Sequence, residues 1–492
     1  MVQGIPTIQV DTSNAYAASQ PASDRIWATC IETTKGPVLK PTFVQTPQEL
    51  YKLFKYRIDG FWGVGGQGLY IVRVTKGEAT ASTETIMSTD TTPKELCIFT
   101  AKDVGSYAIY ITLQESVGGG YNLIVEEDGF TTEYYTGVAS IEQLCNRINS
   151  DSEIIKAEFK AEGSPVTFAR KILGEGANET RGVDGTFQSG GGTNPDGSLT
   201  NEGDAVAAHR SGLALLEDYD INGVFCLSPF TEVQVEYAIH AKEMSKPTSN
   251  KWRYAVVGGK LSDNKQTKIA TAAVYNDQSV LYVGQGLIDK NGVEYEPYQA
   301  TMAVAGKRSQ LPYGETIWGG DPRKRLGIGN NQFFVDVIPL EHSPGYPYTK
   351  QDIKDLNEHG VITFMKSFDG VRITEGVTTV QPDNEEGEDE EAVVSIVRHA
   401  AKLAYDAAFE MLGKQITPSF KTDLEEHIKS YLSEMKYTDN TLIDVPEEGL
   451  EAYRVEATIL PAPDRKLGKV RVALYITPVH AAREIKINLM VL

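Results

Sequence analysis

Glycine-rich turns are the first places in this chain where chemistry could reside, because backbone N–H groups exposed there can cradle a phosphate. Gly63-Val-Gly-Gly-Gln-Gly68 matches G-x-G-x-x-G as a string. Dinucleotide binding needs those glycines between a strand and the helix whose N-terminus meets the pyrophosphate. Here a helical pattern precedes them and the strand-like run Leu69-Tyr-Ile-Val-Arg-Val74 follows, so a tight turn is expected instead. Val257-Gly-Gly-Lys260 does follow a strand-like run, but it lacks the G-x-x-x-x-G-K-[ST] spacing. Gly306-Lys307 continues into Arg308 and fails the same test.

The remaining chemical residue types are sparse. Seven histidines, His209, His240, His342, His359, His399, His427 and His480, include no H-E-x-x-H pair that would put two imidazoles on one helix face. No G-x-S-x-G elbow anchors a hydrolase triad. Cys30, Cys97, Cys145 and Cys226 are far apart and form no C-x-x-C pair, which fits a reduced cytoplasmic site of synthesis. The acidic run Asp383–Glu391 lacks the alternating ligands and turn glycine of a calcium loop, so a solvated loop is expected. No catalytic, cofactor or metal site emerges from these residues.

The elements around them have three textures. Thr46-Pro-Gln-Glu49 reads as a helix start with a hydroxyl cap, Pro in the first turn and Glu at N3. From about 79 to 202 short β-like runs, such as Tyr107–Leu113 and Tyr121–Val125, end in a glycine-rich stretch. Then helix and strand alternate: 205–216 helical, 223–227 a strand, a helix opened by Thr231 with Gln234 completing a capping box, 254–257 a strand, 265–275 helical, 280–283 a strand. That alternation implies βαβ units and a mainly parallel sheet. Farther on, 349–359 reads as helical and stops at Gly360, and Val361–Phe364 with Val371–Thr374 reads as a hairpin. Two amphipathic helices follow, 393–412 ending at Gly413 and one from Thr417-Pro418 with Phe420, Leu424, Ile428 and Leu432 at steps of four. Three strands, 453–460, 469–477 and 484–492, finish the chain.

Length and charge narrow the class. The 492 residues suggest about three domains. A formal net charge of −20 argues against a nucleic-acid partner, which would need a basic surface. The N-terminus shows neither a basic n-region nor an apolar h-region, and no apolar run approaches the ~20 residues that cross a bilayer, so neither signal peptide nor membrane insertion is expected.

The two ends carry the most pointed signal. Ile485, Ile487, Leu489 and Val491 alternate with polar or flexible residues almost to the last position, and the arm Gly4–Val10, with Ile5, Ile8 and Val10, is equally unconstrained. Such strands either pair within their own domain or add to a sheet in another subunit.

Several segments resemble the contractile tail sheath family, especially versions from Gram-positive phages and phage-like elements. They are Gly4–Val10, Thr33–Pro37 followed by Val44–Leu50, Tyr295–Gly306, Leu356–Ile362, Gly370–Thr379 and Val479–Ile487, in family order. The resemblance implies an α+β multidomain protein. Residues 1–22 and 351–492 would form an inner α+β domain built from both chain ends, 23–78 with 203–350 a central α/β domain, and 79–202 a mostly β outer insertion. It implies a helical homopolymer of stacked rings around a tail tube protein, meeting baseplate and tail terminator proteins, in a virion tail or cytoplasmically assembled particle. Terminal arms of each subunit would join neighbouring sheets, and contraction would need no nucleotide. Lys414, Lys421 and Lys429, on the two C-terminal helices and their connection, are the expected tube contacts. Two other readings stay open, a nucleotide- or sugar-binding α/β enzyme and another self-assembling shell or surface-layer protein.

Overall fold

A computed structural model describes residues 25–480 apart from 76, 128–130, 176–179, 184–201, 247–248, 250, 320, 328–331, 341–348, 382–388, 438–440, 446–449 and 462–468. In chain order it opens with β1 (Ile26–Ile31), β2 (Thr42–Val44), α1 (Pro47–Phe54), α2 (Asp59–Gly63) and β3 (Gly68–Arg73). Next come β4 (Thr83–Met87), β5 (Glu95–Ala101), β6 (Ile109–Glu115), β7 (Tyr121–Glu127), β8 (Thr131–Val138), α3 (Ile141–Asp151), β9 (Ile155–Phe159) and β10 (Phe168–Ile172). The alternating part holds α4 (Glu202–Ala214), β11 (Gly223–Phe225), α5 (Thr231–Met244), β12 (Tyr254–Gly258), α6 (Lys265–Tyr275) and β13 (Val280–Val283). It continues through β14 (Leu287–Asp289), β15 (Glu294–Tyr295), α7 (Pro297–Gln310), β16 (Phe334–Val337), α8 (Lys350–Glu358) and β17 (Val361–Ile362). The last elements are β18 (Phe364–Ser367), β19 (Gly370–Ile373), α9 (Glu391–Glu410), α10 (Phe420–Tyr437), β20 (Tyr453–Ile459) and β21 (Val470–Ile476).

The organising sheet has the order β17-β13-β12-β11-β1-β3-β2, parallel throughout except for the edge pair β2–β3. Its inner strands are apolar on both faces, as a sheet covered on both sides requires. The fold is thus mixed α+β, a mainly parallel sheet accompanied by several antiparallel ones. Between β3 and α4 the strands form two antiparallel sheets, β4-β5-β9 and β10-β6-β7-β8, around a core that includes Phe99, Ile111, Leu123, Val125 and, from α3, Leu144 and Ile148.

Local chemistry explains the element starts. Thr46 accepts from the N–H of Glu49 at 3.1 Å, while Glu49 reaches back to the N–H of Gln45 at 2.9 Å, so α1 begins as its sequence predicts. The expected hairpin is shifted. Val361–Ile362 leave to pair with β13 in the parallel sheet, and the antiparallel pair is Phe364–Ser367 with Gly370–Ile373.

Candidate functional site

The glycine-rich loops serve packing. Gly63–Gly68 sits between the short helix α2 and β3, with Gly65 at φ +110°. A Cβ on Gly66 would come within 2.3 Å of Phe61, so the turn admits no side chain there. Gly306 and Lys307 lie in the interior of the buried helix α7, where no phosphate loop exists. Lys307 donates to Gln310 Oε1 at 2.7 Å and to the Arg323 carbonyl at 2.8 Å.

The Val257–Lys260 turn lies at the carboxyl end of β12, where open α/β sheets usually bind ligands. Here the crevice is occupied by the protein's own groups. A Cβ on Gly258 would meet the Pro297 carbonyl at 2.4 Å, which shows how closely α7 crosses it. Gln234 corrects its predicted role. Phe230 precedes α5 without a side-chain cap, and Gln234 is instead buried, donating to the Ser228 carbonyl at 3.1 Å and accepting from the Gly258 N–H at 3.0 Å. The space left, about 110 Å³, is lined by Thr231, Lys260, Asp263 and Tyr282 among others. That is well short of the ~300–1,000 Å³ of a typical small-molecule site. Among the described residues no group of three or more His, Cys, Asp or Glu could hold a metal, and no described helix is long and apolar enough to cross a membrane.

Two neighbouring segments of the chain meet in a buried polar knot. Asn357 Oδ1 accepts from the hydroxyls of Thr363 and Thr374, each 3.1 Å away. The Thr374 N–H donates to the Thr363 carbonyl at 3.0 Å. Next to it Gly360, at φ +75°, lies against Thr378 and Thr379, where a Cβ would meet a carbonyl at 2.5 Å. The knot joins Leu356–Ile362 to Gly370–Thr379 and ties α8 to the β18–β19 hairpin.

The acidic run does not end in solvent as expected. Glu390 and Glu391 are buried, and Glu391 opens α9 with its Oε1 3.0 Å from Arg308 Nη1. A carboxylate out of water requires such a partner, and a charge run read in one dimension gives no hint of one.

The C-terminal unit holds a sheet face that its own helices cover only in part. Phe420, Leu424, Ile428 and Leu432 are all buried on α10, facing α9 and a two-stranded antiparallel sheet, β20–β21. Val455 and Ala457 of β20 are 4% and 1% exposed, but their cross-strand neighbours Leu474 and Val472 stay only partly buried, as do Val470 and Ile476. All four face the helices from a strand that, among the described residues, has no neighbour on its other side. The edges differ as well. The Ala457 N–H, pointing away from β21, donates to Glu425 Oε1 of α10 at 2.7 Å, so a side chain blocks the β20 edge. Among the described residues no strand pairs with the outer edge of β21.

The residues expected to form inter-subunit strands, Gly4, Ile5, Ile8, Val10, Ile485, Ile487, Leu489 and Val491, lie outside the described residues. Lys414 is exposed with its Nζ 3.0 Å from Met411 Sδ, while Lys421 and Lys429 lie on α10, 3.8 Å from Glu425 and 2.9 Å from Glu426.

The fold as a whole resembles that of solved sheath proteins. The sheath tail protein of Desulfitobacterium hafniense matches at TM-score 0.62 and 14% identity, covering 94% of this chain and 98% of that one. The sheath tail protein of Listeria innocua matches at 0.61 and 12%, covering 94% and 93%. The helical sheath of the anti-feeding prophage in its contracted state matches at 0.53 and 11%, covering 99% of each chain. The chain therefore has the fold of sheath proteins. Within it, residues 197–379 match the family model of the phage tail sheath protein central domain. No curated protein matches the chain.

Proposed function

We propose that this chain is the structural subunit of a contractile tail sheath. It forms a helical homopolymer of stacked rings around a tail tube protein, ends at baseplate and tail terminator proteins, and contracts to drive the tube through a cell envelope. It would be made in a bacterial cytoplasm and carried in a phage tail or phage-like particle. The observation that carries this reading is a β20–β21 sheet that, among the described residues, has no strand on its outer edge, within a sheath fold. An added strand beside β21 would finish burying Val470, Val472, Leu474 and Ile476, contributing on the order of 2 kcal/mol of apolar burial plus the backbone hydrogen bonds of strand addition.

On this reading Ile485, Ile487, Leu489 and Val491, with Gly4, Ile5, Ile8 and Val10 of the N-terminal arm, supply strands to neighbouring subunits. Residues 23–78 with 203–350 form the central domain, 79–202 project outward, and 1–22 with 351–492 face the tube through Lys414, Lys421 and Lys429. Contraction is a change between two packings of the subunit interfaces while the strand connections persist, so the work comes from interface energy stored at assembly. No enzymatic step is needed.

Co-expression with its cognate tube protein followed by negative-stain electron microscopy tests this. Striated sheaths around the tubes are expected. Bare tubes beside soluble monomers would contradict it.

A further inference from the structure

The amino edge of the parallel sheet holds a cavity of about 170 Å³ whose chemistry is opposite to that of the chain as a whole. It lies where Arg25 leads into β1, Asp220–Asn222 into β11 and Lys251–Tyr254 into β12, and it is closed by the end of α7 and by Ser395, Arg398 and Lys402 of α9. Five of its lining residues are cations, Arg25, Lys251, Arg308, Arg398 and Lys402, against the single carboxylate Asp220. This is a strong local reversal in a chain of formal net charge −20.

Two of the carboxylates at hand are already committed. Asp220 lies 3.3 Å from Lys402, and Glu391, behind the wall, lies 3.0 Å from Arg308. Lys251 donates to the backbone carbonyl of Glu217 at 2.6 Å, with the carboxylates of Glu217, Asp218 and Asp220 nearby. Arg398 is the decisive group. It is only 7% exposed, its guanidinium stacks 3.8 Å from the Tyr254 ring centre, and its Nη2 lies 3.4 Å from the Gln278 carbonyl. Its Nη1 is buried without a hydrogen-bond partner, and the Asp277 and Glu391 charges act on the guanidinium from nearby without bonding to it. A buried charged donor left without an acceptor is costly and therefore rare.

We propose that this cavity is an oxyanion site, which takes a carboxylate or phosphate group against Arg398 and Lys251, with Arg25 at its mouth. The inference stands apart from the sheath reading. The chemistry has two sources, a free inorganic anion and the acidic side chains of another copy, whose run Asp383–Asp389 carries five carboxylates.

The test is calorimetric titration of the full chain with inorganic phosphate, at ionic strength held constant with chloride, and then with a synthetic peptide spanning Asp383–Asp389. Saturable binding of one equivalent is expected, at least about tenfold weaker in an Arg25→Gln/Lys251→Gln variant, because charge-assisted contacts are removed. Arg398→Gln is a secondary variant, since a buried residue also affects folding, and the thermal midpoint of each variant without ligand separates the two effects. Binding of the peptide, or its displacement of phosphate, assigns the site to a neighbouring copy. Phosphate binding untouched by the peptide assigns it to a free anion. Equal affinity in the wild type and the double variant, or no saturable binding of either probe, overturns the proposal.

Discussion

All six residues of β1 and all five of β12 are buried, whereas none of the seven residues of β21 is. Both regions use apolar residues suited to strands, and both lie against helices. They differ in who supplies the neighbours. The parallel sheet recruits β11 (Gly223–Phe225) and β12 (Tyr254–Gly258) from far beyond β1 and takes its last strand from Val361–Ile362, so one chain supplies all its strands. Among the described residues the hairpin has one edge blocked by Glu425 and no strand on the other, which leaves its apolar face partly exposed. On the proposed reading a strand donated to a neighbour requires a subunit that is stable without it, and the parallel sheet, buried on both faces, would supply that stability.

The comparison can be broken most sharply by deleting Glu484–Leu492. Assembly should be abolished while the soluble subunit keeps its thermal midpoint within a few degrees; tubes of normal length on a tube template would remove the donated strand from the account. Beside the parallel sheet, Arg308→Met removes the cation bonded to buried Glu391 and leaves it only the more distant charge of Arg398. It should cost about 3–5 kcal/mol in urea denaturation, since stranding a buried charge is expensive. A loss below 1 kcal/mol would mean that Glu391 is not held as described. Asn357→Leu removes the acceptor shared by Thr363 and Thr374 and should cost about 1–3 kcal/mol, with sheath formation retained at reduced temperature.

The smallest effect is in pH dependence. Burial, and then the Arg372 guanidinium, lower the pKa of Lys307 to about 7. An unfolded lysine holds its proton to ~10.4, so between these values the unfolded chain binds more protons and stability rises with pH. Relative to Lys307→Met, the wild type should gain up to about 1.4 kcal/mol per pH unit between pH 7 and pH 9. Parallel profiles for the two chains would show that Lys307 keeps its proton in the fold.

Much of the architecture could be read from local pattern. The alternation from 205 to 283 gave the helices and parallel strands, and the four-residue spacing of Phe420, Leu424, Ile428 and Leu432 marked the buried face of α10. The reversed context of Gly63–Gly68 correctly argued for a turn. What escaped was decided by distant partners. Gln234 fits a capping box by spacing, but the Ser228 carbonyl and the Gly258 N–H claim its amide. Glu391 looks like one more charge in a solvated run until Arg308, 83 residues earlier, meets it. Val361–Ile362 resembles a hairpin arm because nothing local announces the open edge of β13. The cationic cavity escaped for the same reason, since its walls come from five separate segments.

The most direct measurement is a helical reconstruction by electron cryomicroscopy of the assembled polymer, at a resolution that separates strands. A strand hydrogen-bonded along the outer edge of β21 should trace to the terminal residues of a different subunit. A strand there from the same chain, or a β21 edge left open in the polymer, would contradict the account.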